Sequence, residues 1–196
     1  MADNSSNDGT GRTHTAFFYG TLMAPEVFFT VAYRNSTMDV SVLKSLHTFQ
    51  PAVLHGFRRR RVRYADYPGI TRDTTSEDAS VRGTYVTGLT DANMFHLDAF
   101  EGSEYKRENV KVKLLSKVGN DQGEGNVEGD EVECQTYVFL SPSRLEPREW
   151  DYHEFRTQKM NSWTREDYCF DDTDHLAPAE VEGSEGRCGL IPERTT

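Results

Sequence analysis

Apolar residues recur along this chain with two periods, two and about 3.6, and their alternation sets out most of the elements. Residues 14–19 form a first strand that is apolar from Ala16 to Tyr19, as in a strand buried on both faces. Residues 52–57 form a second, and the run Arg58-Arg59-Arg60-Arg61 continues the same ribbon to Tyr64. Tyr67-Pro68-Gly69-Ile70 is a turn signal leading into another short strand. Residues 81–89 make a longer strand centred on Tyr85 and Val86. The clearest period of two follows, with Val110, Val112 and Leu114 alternating with Asn109, Lys111 and Lys113. Residues 132–140 read as its returning partner. Helical spacing is confined to three places. Pro25 stands near the first position of a helix reaching Tyr33. Thr90 is a good N-cap for a helix over 91–100, and residues 147–161 are helical, with Trp150, Phe155 and Met160 as apolar contacts. The stretch 35–50 is ambiguous, with room for a second short helix before Pro51.

The polar segments complete the outline. Residues 1–13 are small, polar and expected to be disordered. Residues 74–80 form a loop. Residues 118–130, with four glycines and alternating acidic residues, read as a mobile hairpin insertion. Many strands and few helices predict an α+β protein, a small mixed β-barrel flanked by helices. The barrel domain is placed at 14–145, a helical extension at 146–170 and an acidic tail at 171–196.

Composition narrows the function. The 196 residues carry a formal net charge of −10, which argues against nucleic acid or an anionic membrane as the main partner. Against that background the arginine run reads as an exposed, charge-balancing surface. No apolar run approaches the roughly 20 residues of a membrane span, and no signal-peptide pattern opens the chain. Three cysteines, Cys134, Cys169 and Cys188, stand at unrelated spacings. They suggest neither a disulfide framework nor a zinc site, and a cytoplasmic setting is expected. Cys134, in an alternating strand, reads as a core thiol. The six histidines show no HxH or HExxH spacing, so no metal or other cofactor is expected.

Two segments about eighty residues apart carry the candidate chemistry. In Phe17-Phe18-Tyr19-Gly20-Thr21-Leu22 a strand stops at a glycine and opens toward a helix. Such a turn aims unpaired amides at one point, which suits an anionic group, although it also serves as an ordinary structural entry. In Leu97-Asp98-Ala99-Phe100-Glu101-Gly102-Ser103-Glu104-Tyr105-Lys106-Arg107 a carboxylate closes a helix just before a glycine. The helix dipole disfavours charge there, so the pKa of Glu101 should be raised and the group becomes a better base. Tyr105 and Arg107 share a face if a strand begins there: one of them lines a pocket beside Glu101, or both are plain strand residues.

Taken together, Tyr19-Gly20-Thr21-Leu22 with Pro25-Glu26-Val27, Tyr67-Pro68-Gly69-Ile70, Val81-Arg82-Gly83-Thr84-Tyr85, and Phe100-Glu101-Gly102 with Tyr105-Lys106-Arg107 resemble the γ-glutamylcyclotransferase-like superfamily. The similarity is to its AIG2-like branch and spans about residues 15–140. It implies that fold and a small-molecule γ-glutamyl substrate, gripped by Tyr19, Gly20, Thr21 and Leu22 with Tyr105 in the pocket. Glu101 matches the catalytic acid/base. The implied reaction is intramolecular release of 5-oxoproline and an amine. A non-catalytic binding protein and a γ-glutamyl acyltransferase are the other functions open to such a site. The segments 35–50, 118–130 and 171–196 have no obvious counterpart, which leaves the leaving amine and any protein partner undefined.

Overall fold

The computed structural model describes residues 13–34, 37–76, 78–120 and 123–160. Among these described residues seven strands follow in chain order: β1 (His14–Phe18), β2 (Phe49–His55), β3 (Phe57–Arg61), β4 (Pro68–Arg72), β5 (Ser80–Leu89), β6 (Tyr105–Lys117) and β7 (Val127–Phe139). Five close into a barrel in the order β1-β5-β2-β6-β7, while β3 and β4 pair as a separate hairpin. All barrel pairings are antiparallel except the closure, where Ala16 of β1 meets Gln135 of β7 in parallel. The structure is thus the expected α+β mixed barrel. Its helices are α1 (Pro25–Tyr33), α2 (Val40–Ser45), α3 (Asp91–Glu101) and a single turn α4 (Tyr152–Glu154) that widens into a π-helix over Phe155–Lys159. None of the described helices is long and apolar enough to cross a membrane.

The continuous apolar run of β1 follows from its position between two cores. Phe17 and Tyr19 pack with Leu54, Val81, Val110, Val112 and Cys134, joined by Phe57 and Ile70 from the β3–β4 hairpin. Ala16 and Phe18 pack on the other face with Val27, Phe28 and Val31 of α1 and Met94 and Leu97 of α3. Period-two alternation therefore sends side chains to both cores and leaves no polar face to see in the sequence. Trp150 and Phe155 join the helical core, docking the C-terminal segment.

Several boundaries differ from expectation. β2 begins at Phe49 and includes Pro51. The proline is tolerated because pairing with β6 begins only at Ala52, so its missing N–H falls where that ladder is absent. The arginine run does not continue β2: Gly56, with φ of 76°, turns the chain into the separate hairpin. The expected insertion over 118–130 is shorter, because residues from Val127 onward belong to β7 and pair with β6 out to Lys117. Helix does not start at 147. Asp151 caps it instead, its side chain accepting from the amides of His153 and Glu154. Of the expected disordered stretch 1–13 only Thr13 is described. The tail 171–196, Trp163, Cys169, Cys188 and the helix end near Asn161 lie outside the described residues.

Candidate active site

The site is assembled where β1 runs out. The chain leaves Phe18 through Tyr19 and Gly20 into a 3₁₀ turn over Thr21–Met23. In that turn the Met23 amide donates to the Gly20 carbonyl at 3.0 Å and the Ala24 amide to the Thr21 carbonyl at 3.1 Å. The leading amides of such a turn have no partner within it, and no side chain caps this one. Thr21 and Leu22 are buried, Leu22 in the helical core, so what these residues offer a ligand is backbone. Gly20 is required by close packing: a Cβ there would stand 2.9 Å from Cγ of Pro68. The crowding is thus against the start of β4 (the Pro68 ring).

Helix α3 positions Glu101. Its N-terminus is a capping box, with Thr90 and Asn93 each satisfying the other's backbone amide. Asn93 Nδ2 also donates to the Ala32 carbonyl at 3.0 Å, and His96 Nδ1 lies 2.9 Å from the same oxygen, so α3 is clamped to the end of α1. The helix stops at Gly102, whose φ of 63° with ψ of −159° is a conformation that essentially only glycine adopts. Its last residue, Glu101, keeps a little exposed surface. The surrounding protein nevertheless desolvates its carboxyl and pushes its pKa up to about 8, with the negative charge of Asp98 adding to the effect. The expected direction is present, but burial causes it.

Three buried or partly buried phenols feel the charge of this carboxyl. Tyr19 donates to the Tyr137 carbonyl at 2.6 Å, Tyr105 to the Pro68 carbonyl at 2.9 Å, and Tyr137 to Asp98 Oδ1 at 2.8 Å. Burial raises the pKa of each, and the charge of Glu101 raises each further. All three therefore remain neutral donors at ordinary pH. Asp98 also pairs with Arg107 Nη1 at 3.3 Å, the residue that shares a face of β6 with Tyr105. Beyond Tyr105, Tyr67 donates to Glu104 at 2.9 Å, and Glu104 pairs with Arg144.

Arg59 of β3 reaches the Tyr19 end of this cluster. Its side chain is only 13% exposed. Nη1 donates to the Tyr19 carbonyl at 2.9 Å, Nη2 meets Glu149 at 3.1 Å, and the guanidinium stands 5.5 Å from the Trp150 ring centroid. Burial lowers its pKa and Glu149 opposes that shift. The structure thus corrects the view of the arginine run as wholly exposed.

Of the residues singled out in sequence, Glu101, Tyr19 and Tyr105 share one electrostatic neighbourhood. Gly20 is linked to Tyr105 through Pro68, which packs on the first and accepts from the second. Arg59, Asp98 and Tyr137 belong to the same neighbourhood and were not singled out. Asp98 had a signal, since it stands one helical turn before Glu101 on the same face. Tyr137 and Arg59 had none. Among the described residues no group of three or more His, Cys, Asp or Glu side chains is arranged to hold a metal ion.

The mixed five-stranded barrel thus carries a glycine turn after its first strand and a desolvated carboxyl at the end of α3. The chain belongs to the family described as gamma-glutamyl cyclotransferase, AIG2-like, which it matches over residues 16–164. Protein AIG2 C of Arabidopsis thaliana is 32% identical over 167 residues, covering 79% of this chain and 85% of that protein. Protein AIG2 B of the same plant is 29% identical over 154 residues, covering 77% and 75% respectively. A solution structure of an Arabidopsis thaliana protein is similar at 30% identity and a TM-score of 0.47, covering 74% of this chain and 73% of that one.

Proposed function

We propose that this protein is a γ-glutamyl cyclotransferase that converts a γ-glutamyl amide into 5-oxoproline and a free amine or amino acid. The observation that carries the reading is the Glu101 carboxyl, desolvated and with its pKa pushed up to about 8, in the electrostatic company of three neutral phenols. A base that titrates close to the working pH can take a proton and give it back.

The substrate carries its own nucleophile. Its α-amine nitrogen bonds to the γ-carbonyl carbon, and the bond from that carbon to the leaving nitrogen breaks. Glu101 accepts the proton released by the attacking amine and returns it to the departing one, so the carboxyl ends as it began. Ring closure is intramolecular, and orientation is therefore the main demand on the protein. The leading amides of Gly20, Thr21 and Leu22 hold the substrate's carboxylate, and a donor among them steadies the oxygen that gains charge during attack. Tyr19 and Tyr105 wall the pocket.

The test is 5-oxoproline release from a panel of γ-glutamyl amines and γ-glutamyl amino acids. Glu101→Gln is expected to fold and bind but to lose turnover by about 10²-fold or more, since it removes the proton acceptor. Full activity in that variant, or no release from the folded wild type across the panel, would defeat the reading.

A further inference from the structure

The Arg59 guanidinium donates to two carbonyls and one carboxylate, from different parts of the chain: Arg82 at 3.5 Å, Glu149 at 3.1 Å and, nearest, Tyr19 at 2.9 Å. The nearest acceptor is the carbonyl of Tyr19. Its peptide unit also contains the Gly20 amide, and in a trans peptide the N–H points away from the C=O. No peptide among the described residues is cis. Fixing the Tyr19 oxygen therefore fixes the direction of the Gly20 N–H. A charged donor on the oxygen also polarises the unit and strengthens its amide as a donor.

The seat of Arg59 is made by the C-terminal segment. Residues 144–148 run beside β3: the Arg63 amide donates to Arg144, the Glu146 amide to Arg61 and the Arg61 amide to Arg148. This strap delivers Glu149 to Nη2 and Trp150 to the guanidinium. Trp150 is itself pinned by donating from Nε1 to the Asp66 carbonyl at 2.8 Å. Arg59 Nε is buried with no hydrogen-bond partner among the described residues. An apolar residue would fill the same space without that cost, so filling space does not account for an arginine here.

We infer that Arg59 is a positioning residue: held by Glu149 and Trp150 of the C-terminal strap, it orients and strengthens the Gly20 amide that grips the substrate. The inference rests on the reading of the previous subsection and extends it, because it makes the strap part of the substrate site although it touches none of the reacting atoms.

The experiment compares Arg59→Met, Arg59→Lys and Glu149→Gln with the wild type, following steady-state 5-oxoproline release and the Gly20 amide resonance by NMR. Arg59→Met is expected to raise KM by about tenfold, the order expected for a lost charge-assisted hydrogen bond. The pH profile of kcat should stay in place, since burial and the charge of Asp98, not Arg59, are what shift Glu101. The Gly20 amide proton should move upfield, with Arg59→Lys between it and the wild type. Glu149 is an exposed side chain, so Glu149→Gln keeps the test open if Arg59→Met fails to fold. It should shift KM and the Gly20 resonance the same way by a smaller amount. An unmoved Gly20 resonance, or activity lost in proportion to folded protein at constant KM, overturns the inference. A wild type that releases no 5-oxoproline overturns the cyclotransferase reading instead, and the Gly20 resonance in the variants then decides the role of Arg59 alone.

Discussion

Asp98 and Glu101 stand one turn apart on α3, and the proton on Glu101 answers to both burial and that neighbouring charge. Asp98 pairs with Arg107 at 3.3 Å and accepts from the Tyr137 hydroxyl at 2.8 Å. Replacing it with asparagine removes the charge but keeps an acceptor for Tyr137. Asp98→Asn should let Glu101 ionise at lower pH, so the acid limb of the kcat/KM profile moves down; an unmoved limb would show that Asp98 does not tune the base. Legibility at this scale was uneven. Glu101 and the Tyr19–Leu22 turn stood out because each is a short contiguous pattern. Arg59 did not, because four consecutive arginines look alike until one meets Glu149 and Trp150, about ninety residues further on.

Among the elements, α3 bears most directly on the site because it carries Glu101 at its end. The capping box was half visible, with Thr90 recognised as the N-cap and Asn93 completing it. Thr90→Ala should cost about 1 kcal/mol of stability, measurable as a lower urea midpoint at unchanged slope. The C-terminal glycine gives a separate handle. A Cβ at Gly102 meets nothing within 4 Å, so Gly102→Ala isolates the backbone cost of a φ of 63° with ψ of −159°, on the order of 1–3 kcal/mol. A loss several times larger would mean that the turn holds more than its own conformation. Element boundaries were misplaced where pairing overrode local preference. β2 starts before Pro51 because β5 pairs with it from Phe49, and β7 reaches back to Val127 because β6 supplies a partner that far.

For the whole molecule, the raised Glu101 carboxyl makes stability depend on pH. Below the ordinary carboxylate range both folded and unfolded chains hold this proton. Between there and about pH 8 the folded chain keeps it while the unfolded chain has released it. Stability from this group is therefore full at low pH and is lost as pH rises through about 8, by up to about 1.4 kcal/mol per pH unit. His47 acts in the other direction, since burial lowers its pKa and its stabilising contribution grows as pH rises toward its ordinary value of 6.5. The clean window lies above that value, from about pH 6.5 to 8. Thermal unfolding there should show Tm falling with pH in the wild type and flattening in Glu101→Gln, which should also be the more stable protein at the upper end. Equal slopes in the two proteins would mean that Glu101 does not titrate in this range.

What the sequence determined by itself was local: the period of each segment, the caps, the glycine turn after β1, the carboxylate before Gly102 and the core character of Cys134, whose thiol burial pushes up to about 12. These follow from interactions within a few residues, or from which face of a strand is apolar. Tertiary structure alone decided the barrel closure between Ala16 and Gln135, the separation of the β3–β4 hairpin, the inward turn of Arg59 and the cause of the Glu101 shift. Each depends on groups tens of residues apart meeting in a desolvated space, and a linear pattern does not specify which charge loses its water.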